Sequence, residues 1–179
     1  MMSDIRERIE DDRGLLKKIQ MFVPGFRGYR IKEDIRDADR MLRNQLADNI
    51  GLLCRDIENV RSMMPIKFNS KDPEYIGGII NSYKKLESLV QHAEFGYSGI
   101  AADISFKEEE LDRLYEFDLK LFEDLDAIKK ANDCLKNHIA SGSSDSIVNE
   151  IISIRNLLDD FETEFNRRID VVQDTVVKQ

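Results

Sequence analysis

Five basic residues recur in a short segment around a glycine-broken turn, and their spacing could hold an anion. They are Arg27, Arg30, Lys32, Arg36 and Arg40. The last three lie four residues apart and so share one face of a helix, while the first two lie in the turn before it. A helix N-terminus and the exposed N–H groups of a turn also attract a carboxylate, a phosphate or a lipid headgroup. We therefore treat these five residues as a candidate anion-binding site.

An alternative is that these charges are neutralised within the fold. Four acidic residues are interleaved with the basic ones: Glu33, Asp34, Asp37 and Asp39. Acidic and basic residues three or four positions apart on one helix form ion pairs, as do charges on neighbouring helices. Such pairs would leave little positive charge for a ligand, and both interpretations stay open at this stage.

Polar residues also occupy positions where the sequence predicts the interior of a helical bundle. The apolar heptad of the predicted fourth helix places Asp118 and Asn132 at seam positions, where polar residues specify register. A buried carboxylate needs a partner, and we expect Arg36, Arg40 or Arg43 to supply one for Asp118. The alternative is that Asp118 faces water at a helix boundary.

Other kinds of chemistry lack the residues that they require. The two histidines and two isolated cysteines fit neither a Glu-x-x-His di-iron site nor a zinc site. The sequence contains no GxxxxGK[ST] or GxGxxG phosphate loop, no EF-hand and no GxSxG nucleophile elbow. We expect no metal, no cofactor and no enzymatic activity.

Composition and charge exclude several classes of protein. Charged residues make up 35% of the 179 residues, hydrophobic residues 41%, and the net charge is −8. Residues 107–179 contain 10 basic and 18 acidic residues, which disfavours nucleic-acid binding. We find no apolar run that could span a membrane and no signal-peptide core, and isolated cysteines are typical of cytoplasmic proteins. We therefore expect an acidic cytoplasmic protein.

Apolar residues recur every three or four positions along five segments, which predicts helices at 3–22, 31–64, 73–95, 106–140 and 146–177. Pro24-Gly25 has the sequence of a type II turn, Pro65 ends the second helix, and Asp72-Pro73 caps and opens the third. Short connections between long helices predict an all-α fold: an elongated antiparallel bundle of four to five helices, three of them long. We expect a single domain over residues 1–179, in which the first helix completes the bundle or packs across one end.

Glycines inside two predicted helices need a reason, because each is less favourable there than alanine by about 1 kcal/mol. They are Gly51 in the second helix and the pair Gly77-Gly78 early in the third. We expect them to allow close approach between helices. A hinge is the functional alternative.

The motifs resemble those of an uncharacterised family of small helical prokaryotic proteins. They are PGFxGYxxKExxRxxDxxLR at residues 24–43, GYSG at 96–99 and LYxFD at 114–118. The resemblance spans the chain from the first turn through the fourth helix. It implies that the aromatic and glycine-containing turns belong to the fold, and it implies no catalytic residue.

Two functional hypotheses follow. The first is a non-enzymatic scaffold or adaptor that acts through helix faces on a protein partner or as a homo-oligomer, for which the regular last helix permits a coiled coil. The alternative is a peripheral membrane or anionic-ligand binder that uses the basic residues of segment 27–43. Residues 1–23, with five basic and five acidic residues, match an anionic lipid surface poorly.

Overall fold

All regular elements of the described structure are α-helices. The computed structural model describes residues 14–28, 35–64, 71–93, 108–141 and 147–177, with the backbone alone at 35–36, 108–109 and 172–177. The helices are α1 (residues 14–22), α2 (Ile35–Ser62), α3 (Asp72–His92), α4 (Glu108–Ser141) and α5 (Ile147–Val177), and these ranges contain no strand. The predicted all-α bundle is confirmed, with α2, α4 and α5 as its long helices of 28, 34 and 31 residues. None of the described helices is both long and apolar enough to cross a membrane.

The described helix ends differ from the predicted ones by no more than three residues. α2 ends at Ser62, two residues early, because the residue before Pro65 is excluded from helical geometry and the chain turns ahead of it. α3 begins at Asp72, whose predicted role as the N-cap is wrong. Lys71 holds the N-cap position without a side-chain capping bond, and Asp72 instead places its charge in the first turn. α3 also ends three residues early, at His92.

One apolar face of each helix forms a single contiguous core. The buried residues of α2 and α5 illustrate the spacing of three and four that produces this face. They are Leu42, Leu46, Ile50, Leu53, Ile57 and Val60 in α2, and Ile147, Ile151, Ile154, Leu158, Phe161 and Phe165 in α5. The core therefore runs along the length of the bundle.

α2 and α5 occupy opposite corners of a four-helix arrangement, and each packs against both α3 and α4. Consecutive helices form two antiparallel hairpins, α2–α3 and α4–α5. α2 and α4 run in the same direction, since Asp39 lies level with Asp118 and Leu53 lies level with Asn132. α3 and α5 are consequently parallel as well. This side-by-side packing of parallel helices was not part of the sequence prediction.

α1 packs against α4 and contributes to the core. Its buried Ile19 belongs to the common core, as do Val23 and Phe26 in the turn that follows. The ring of Phe22 stacks on that of Phe122 in α4, with centroids 4.9 Å apart and planes within 5° of parallel. Which of the two predicted positions the whole first helix takes stays a prediction.

Candidate functional site

The structure describes the side chains of two of the five predicted anion-binding residues. Arg27 in the turn and Arg40 on α2 are exposed, and neither forms an ion pair with another described residue. Arg30 and Lys32 lie outside the described residues, as does the side chain of Arg36. The charges of Arg27 and Arg40 are therefore not neutralised by the described part of the fold, and a pocket formed by all five residues stays a prediction.

The turn that carries Arg27 is fixed by its glycines. Residues 23–26 form the predicted type II turn: the N–H of Phe26 donates to the carbonyl three residues earlier over 3.1 Å, and Gly25 has φ +84°. Gly28 has φ +86°, and a Cβ atom there would lie 2.5 Å from the hydroxyl oxygen of Tyr115 on α4. These glycines thus serve backbone conformation and close packing on α4.

A buried ion-pair network links α2, α4 and α5 at the same end of the bundle. Arg168 of α5 is 1% exposed and lies between two buried carboxylates. Its Nε donates to Oδ1 of Asp118 over 2.6 Å, and its Nη1 lies 2.9 Å from Oδ1 of Asp39. Arg43 extends the network, since its Nε donates to Oδ2 of Asp39 over 2.7 Å. Buried Arg168 and partly buried Arg43 thus face two buried carboxylates, which offsets their desolvation.

The described cation at Asp118 is not one of those predicted. Arg40 is exposed, Arg43 binds Asp39 instead, and the side chain of Arg36 lies outside the described residues. In the described structure α5, rather than Arg40 or Arg43 of α2, supplies the guanidinium, and the expected pairing of Asp118 with Arg36 stays a prediction. The alternative that Asp118 faces water is wrong, since this residue is fully buried in α4.

A second polar layer lies fourteen residues further along α4, which is about 21 Å at a rise of about 1.5 Å per residue. Buried Asn132 accepts a hydrogen bond from the hydroxyl of Tyr83 on α3 over 2.9 Å, and its Nδ2 donates to the carbonyl of Leu53 on α2 over 3.3 Å. Burial raises the pKa of Tyr83, which keeps the hydroxyl protonated as a donor. Misaligned helices would leave these groups unpaired, so the two polar layers fix the register of the bundle.

An open groove of about 960 Å³ crosses the outer surface of α3 near its N-terminus. Gly77 and Gly78 of α3 lie between its two sides, which include Arg61 of α2 and Arg155 of α5. We call this the α3 groove. The expectation that both glycines allow close helix approach is wrong at Gly78, where an added Cβ would meet no atom within 4 Å. At Gly77 the nearest atom would be in the Arg61 guanidinium, at an ordinary contact distance of 3.5 Å.

A side chain of the neighbouring helix fills the space beside Gly51, the other helical glycine. Gly51 is buried, and a Cβ atom there would lie 2.7 Å from a carboxylate oxygen of Glu87 on α3. The α2–α3 contact at this level therefore leaves no room for a side chain unless that carboxylate moves. The expected close approach of the two helices themselves stays a prediction at Gly51.

Three apolar side chains are exposed beside the α3 groove. Tyr75 lines the groove and is 45% exposed, while Val148 and Ile152 at the start of α5 are 42% and 50% exposed. Lys85 of α3 binds Glu162 of α5 over 2.8 Å, and the two helices are parallel, so residue 75 lies level with residue 152. We call Tyr75, Val148 and Ile152 the α3–α5 face. Val148 and Ile152 lie one turn apart on α5, and Ile151 between them lines the groove together with Tyr75.

The cysteines and histidines form no obvious reactive centre in the described residues. No group of three or more His, Cys, Asp or Glu side chains there is placed to hold a metal ion. Cys54 is buried, with Sγ 3.9 Å from the carbonyl oxygen of Ile80, and burial raises the pKa of its thiol. Cys134 is exposed. A buried thiol with a raised pKa is a poor nucleophile.

Comparison with protein-family models, with curated proteins and with solved structures finds no match for this chain. The resemblance of residues 24–43, 96–99 and 114–118 to a family of helical prokaryotic proteins stays a prediction.

Proposed function

We propose that the protein is a non-enzymatic scaffold or adaptor that binds a partner protein through the α3–α5 face. The observation that carries this proposal is the cluster of Tyr75, Val148 and Ile152 beside the α3 groove. Single exposed apolar residues are ordinary on protein surfaces, whereas neighbouring ones beside a groove mark interaction sites. Tyrosine is also enriched among the residues that dominate interface energies.

The interior supports the role of a rigid scaffold. The network around Arg168 and the layer around Asn132 hold three helices each in one register. The outer faces of α3 and α5 are consequently held in a constant relative position. A partner that recognises both helices meets a preorganised surface and loses less entropy on binding.

Site-specific photo-crosslinking tests the proposed face. A photoreactive amino acid replaces Ile152 in one variant and Leu52 in its control, because Leu52 of α2 is 53% exposed and does not line the groove. We expect irradiation in a lysate of the source cells to give a discrete protein adduct from position 152 and none from position 52. Equal adducts from both positions, or no adduct from position 152, would refute the proposal.

Self-association is a second way in which a scaffold could use this face. A homo-oligomer, including a coiled coil through α5, would give adducts between two copies of the chain and a mass that rises with concentration in light scattering. A heterologous adduct with a constant monomer mass would exclude it. The cytoplasmic location stays a prediction from the two isolated cysteines.

Anionic-ligand or peripheral membrane binding is the second candidate function. It is favoured by the exposure of Arg27 and Arg40 and by their lack of ion pairs among the described residues. Co-sedimentation with anionic vesicles should then fall at high salt and in the Arg27→Glu/Arg40→Glu variant. Absence of vesicle binding by the wild-type protein would refute the membrane form of this function.

A further inference from the structure

The two glycines of the α3 groove are not explained by the interior of the protein. Each is less favourable in a helix than alanine by about 1 kcal/mol. Neither Gly77 nor Gly78 has a positive φ, and neither is pressed against a neighbouring helix, since Gly78 has open space around it and Gly77 meets only the flexible Arg61 side chain. Glycine also permits close approach of another molecule to the backbone. The bare surface of α3 is therefore suited to an external partner.

The charges at the sides of the groove favour an acidic partner. Lys84 is held by Glu58 over 2.7 Å, which leaves that pair neutral. Arg61 on α2 and Arg155 on α5 form no ion pair with any described residue, although the chain as a whole has a net charge of −8. Glu74, at the first turn of α3, is the remaining charged residue of the lining. The lining thus has three basic and two acidic residues, a net charge of +1, and its two unpaired arginines lie on opposite sides of the glycines.

Apolar contacts complete the surface. Tyr75 and Ile79 of α3 and Ile151 of α5 line the same groove, and exposed Ile152 adjoins it. Tyrosine and arginine are the residues that anchor protein interfaces most often, and an amphipathic helix is the segment that commonly fills an apolar groove. A helix also offers its side chains on both flanks at intervals of one turn, so carboxylates on its edges can reach both sides of a groove.

We propose that the α3 groove binds an amphipathic helix of a partner protein, with acidic side chains of that helix paired to Arg61 and Arg155 and its backbone close to Gly77 and Gly78. This inference rests on the proposed adaptor function and adds the chemical class of the partner. It places the apolar stripe of the partner helix against Tyr75 and Ile152.

Two synthetic helical peptides test the charge requirement. They share one apolar stripe and differ in carrying glutamates or lysines along its flanks, and their binding to the full chain is followed by fluorescence anisotropy. We expect the acidic peptide to bind at least about tenfold more tightly than the basic one, a difference of about 1.4 kcal/mol. The preference should shrink as salt is added.

Three variants assign that binding to the groove. Arg61→Glu/Arg155→Glu should lose the acidic peptide, while Arg27→Glu/Arg40→Glu makes the same charge change elsewhere and should retain it. Gly78→Gln should block binding without disturbing α3, because nothing lies within 4 Å of the added Cβ. Circular dichroism verifies that each variant is folded.

Specific results would overturn the inference. They are equal affinity for the two peptides, loss in the Arg27/Arg40 variant alone, unchanged binding by Gly78→Gln, or no binding of the acidic peptide at about 1 mM, the weak end of specific recognition. A dimer in light scattering that Gly78→Gln abolishes would also overturn it, because a second copy would then cover the groove. The adaptor function is tested separately by crosslinking at position 152, so a crosslinked partner that lacks an acidic helix would remove this inference and leave the function standing.

Discussion

Replacement of Arg168 by methionine should destabilise the bundle strongly. Methionine keeps an unbranched apolar stem but removes the guanidinium that lies 2.6 Å from Asp118 and 2.9 Å from Asp39. Loss of one partner of a buried ion pair typically destabilises by about 3–5 kcal/mol, since the remaining charge has lost its compensation. Asp39 retains Arg43 at 2.7 Å, which limits the loss at that carboxylate.

Urea unfolding followed by circular dichroism measures this change in the free energy of unfolding. The midpoint should fall with an unchanged slope, because the same surface is exposed on unfolding. For a chain of this size the expected loss corresponds to a decrease in Tm of about 6–20 °C. Arg167→Met is the matched control: this neighbouring residue is exposed and pairs with Glu164 on the surface, so its removal should change stability by less than about 1 kcal/mol.

A double-mutant cycle separates the ion pair from general damage to the core. Asp118→Leu with Arg168→Met replaces both charges by apolar groups, and this combination should be more stable than the sum of the single effects predicts. We expect a coupling energy of about 1–3 kcal/mol. The reasoning would be refuted if Arg168→Met cost less than about 1 kcal/mol, or if the two substitutions were additive within about 0.5 kcal/mol.

Further predictions concern two glycines, two cysteines and one tyrosine. Gly78→Ala should stabilise the protein by about 1 kcal/mol in thermal or urea unfolding. Gly28→Ala should destabilise it, because φ is +86° at residue 28. A change of the same sign in both variants would contradict the roles given to the two glycines. Thiol labelling followed by peptide mass spectrometry should modify exposed Cys134 well before Cys54, whose pKa is raised by burial, and equal rates would show that Cys54 is accessible. Burial raises the pKa of Tyr83 above its ordinary value of 10.0. The folded state therefore favours the protonated hydroxyl, and this contribution to the free energy of unfolding is fully present below pH 10 and lost as the pH rises beyond it. Tyr83→Phe should flatten this alkaline loss of stability, and an unchanged pH dependence would count against that contribution.

Local sequence rules account well for the ends of the helices. Proline excludes the preceding residue from helical geometry, and glycine accepts a positive φ, so Pro24-Gly25 and Pro65 predict the observed breaks without knowledge of the fold. The apolar periodicity predicts the buried faces for a similar reason, since it depends on residues only a few positions apart. Asp72 shows the limit of this approach: the same Asp-Pro sequence fits either side of a helix start.

The partners in the buried network could not be predicted from local patterns. Arg168 lies seven residues after Phe161, and Asp39 lies seven residues before Leu46, so both occupy heptad positions that face the core. A charged residue at an apolar heptad position predicts a buried charge, and this rule identifies both Arg168 and Asp39. Which charges meet depends on the order of the helices in the bundle. The parallel packing of α2 beside α4, with α5 against α4, depends on contacts along the whole bundle. The open space around Gly78 could not be predicted from local patterns either, because it depends on the tertiary structure.

The affinity of the partner crosslinked at position 152 tests the central claim most directly. Isothermal titration calorimetry compares the wild type with Ile152→Lys and with Leu52→Lys, two equally polar substitutions at sites that are 50% and 53% exposed. We predict that Ile152→Lys raises Kd by about tenfold or more, as expected for an interface anchor, and that Leu52→Lys changes Kd by less than about twofold. Wild-type affinity for Ile152→Lys, or an equal loss in both variants, would contradict binding through the α3–α5 face.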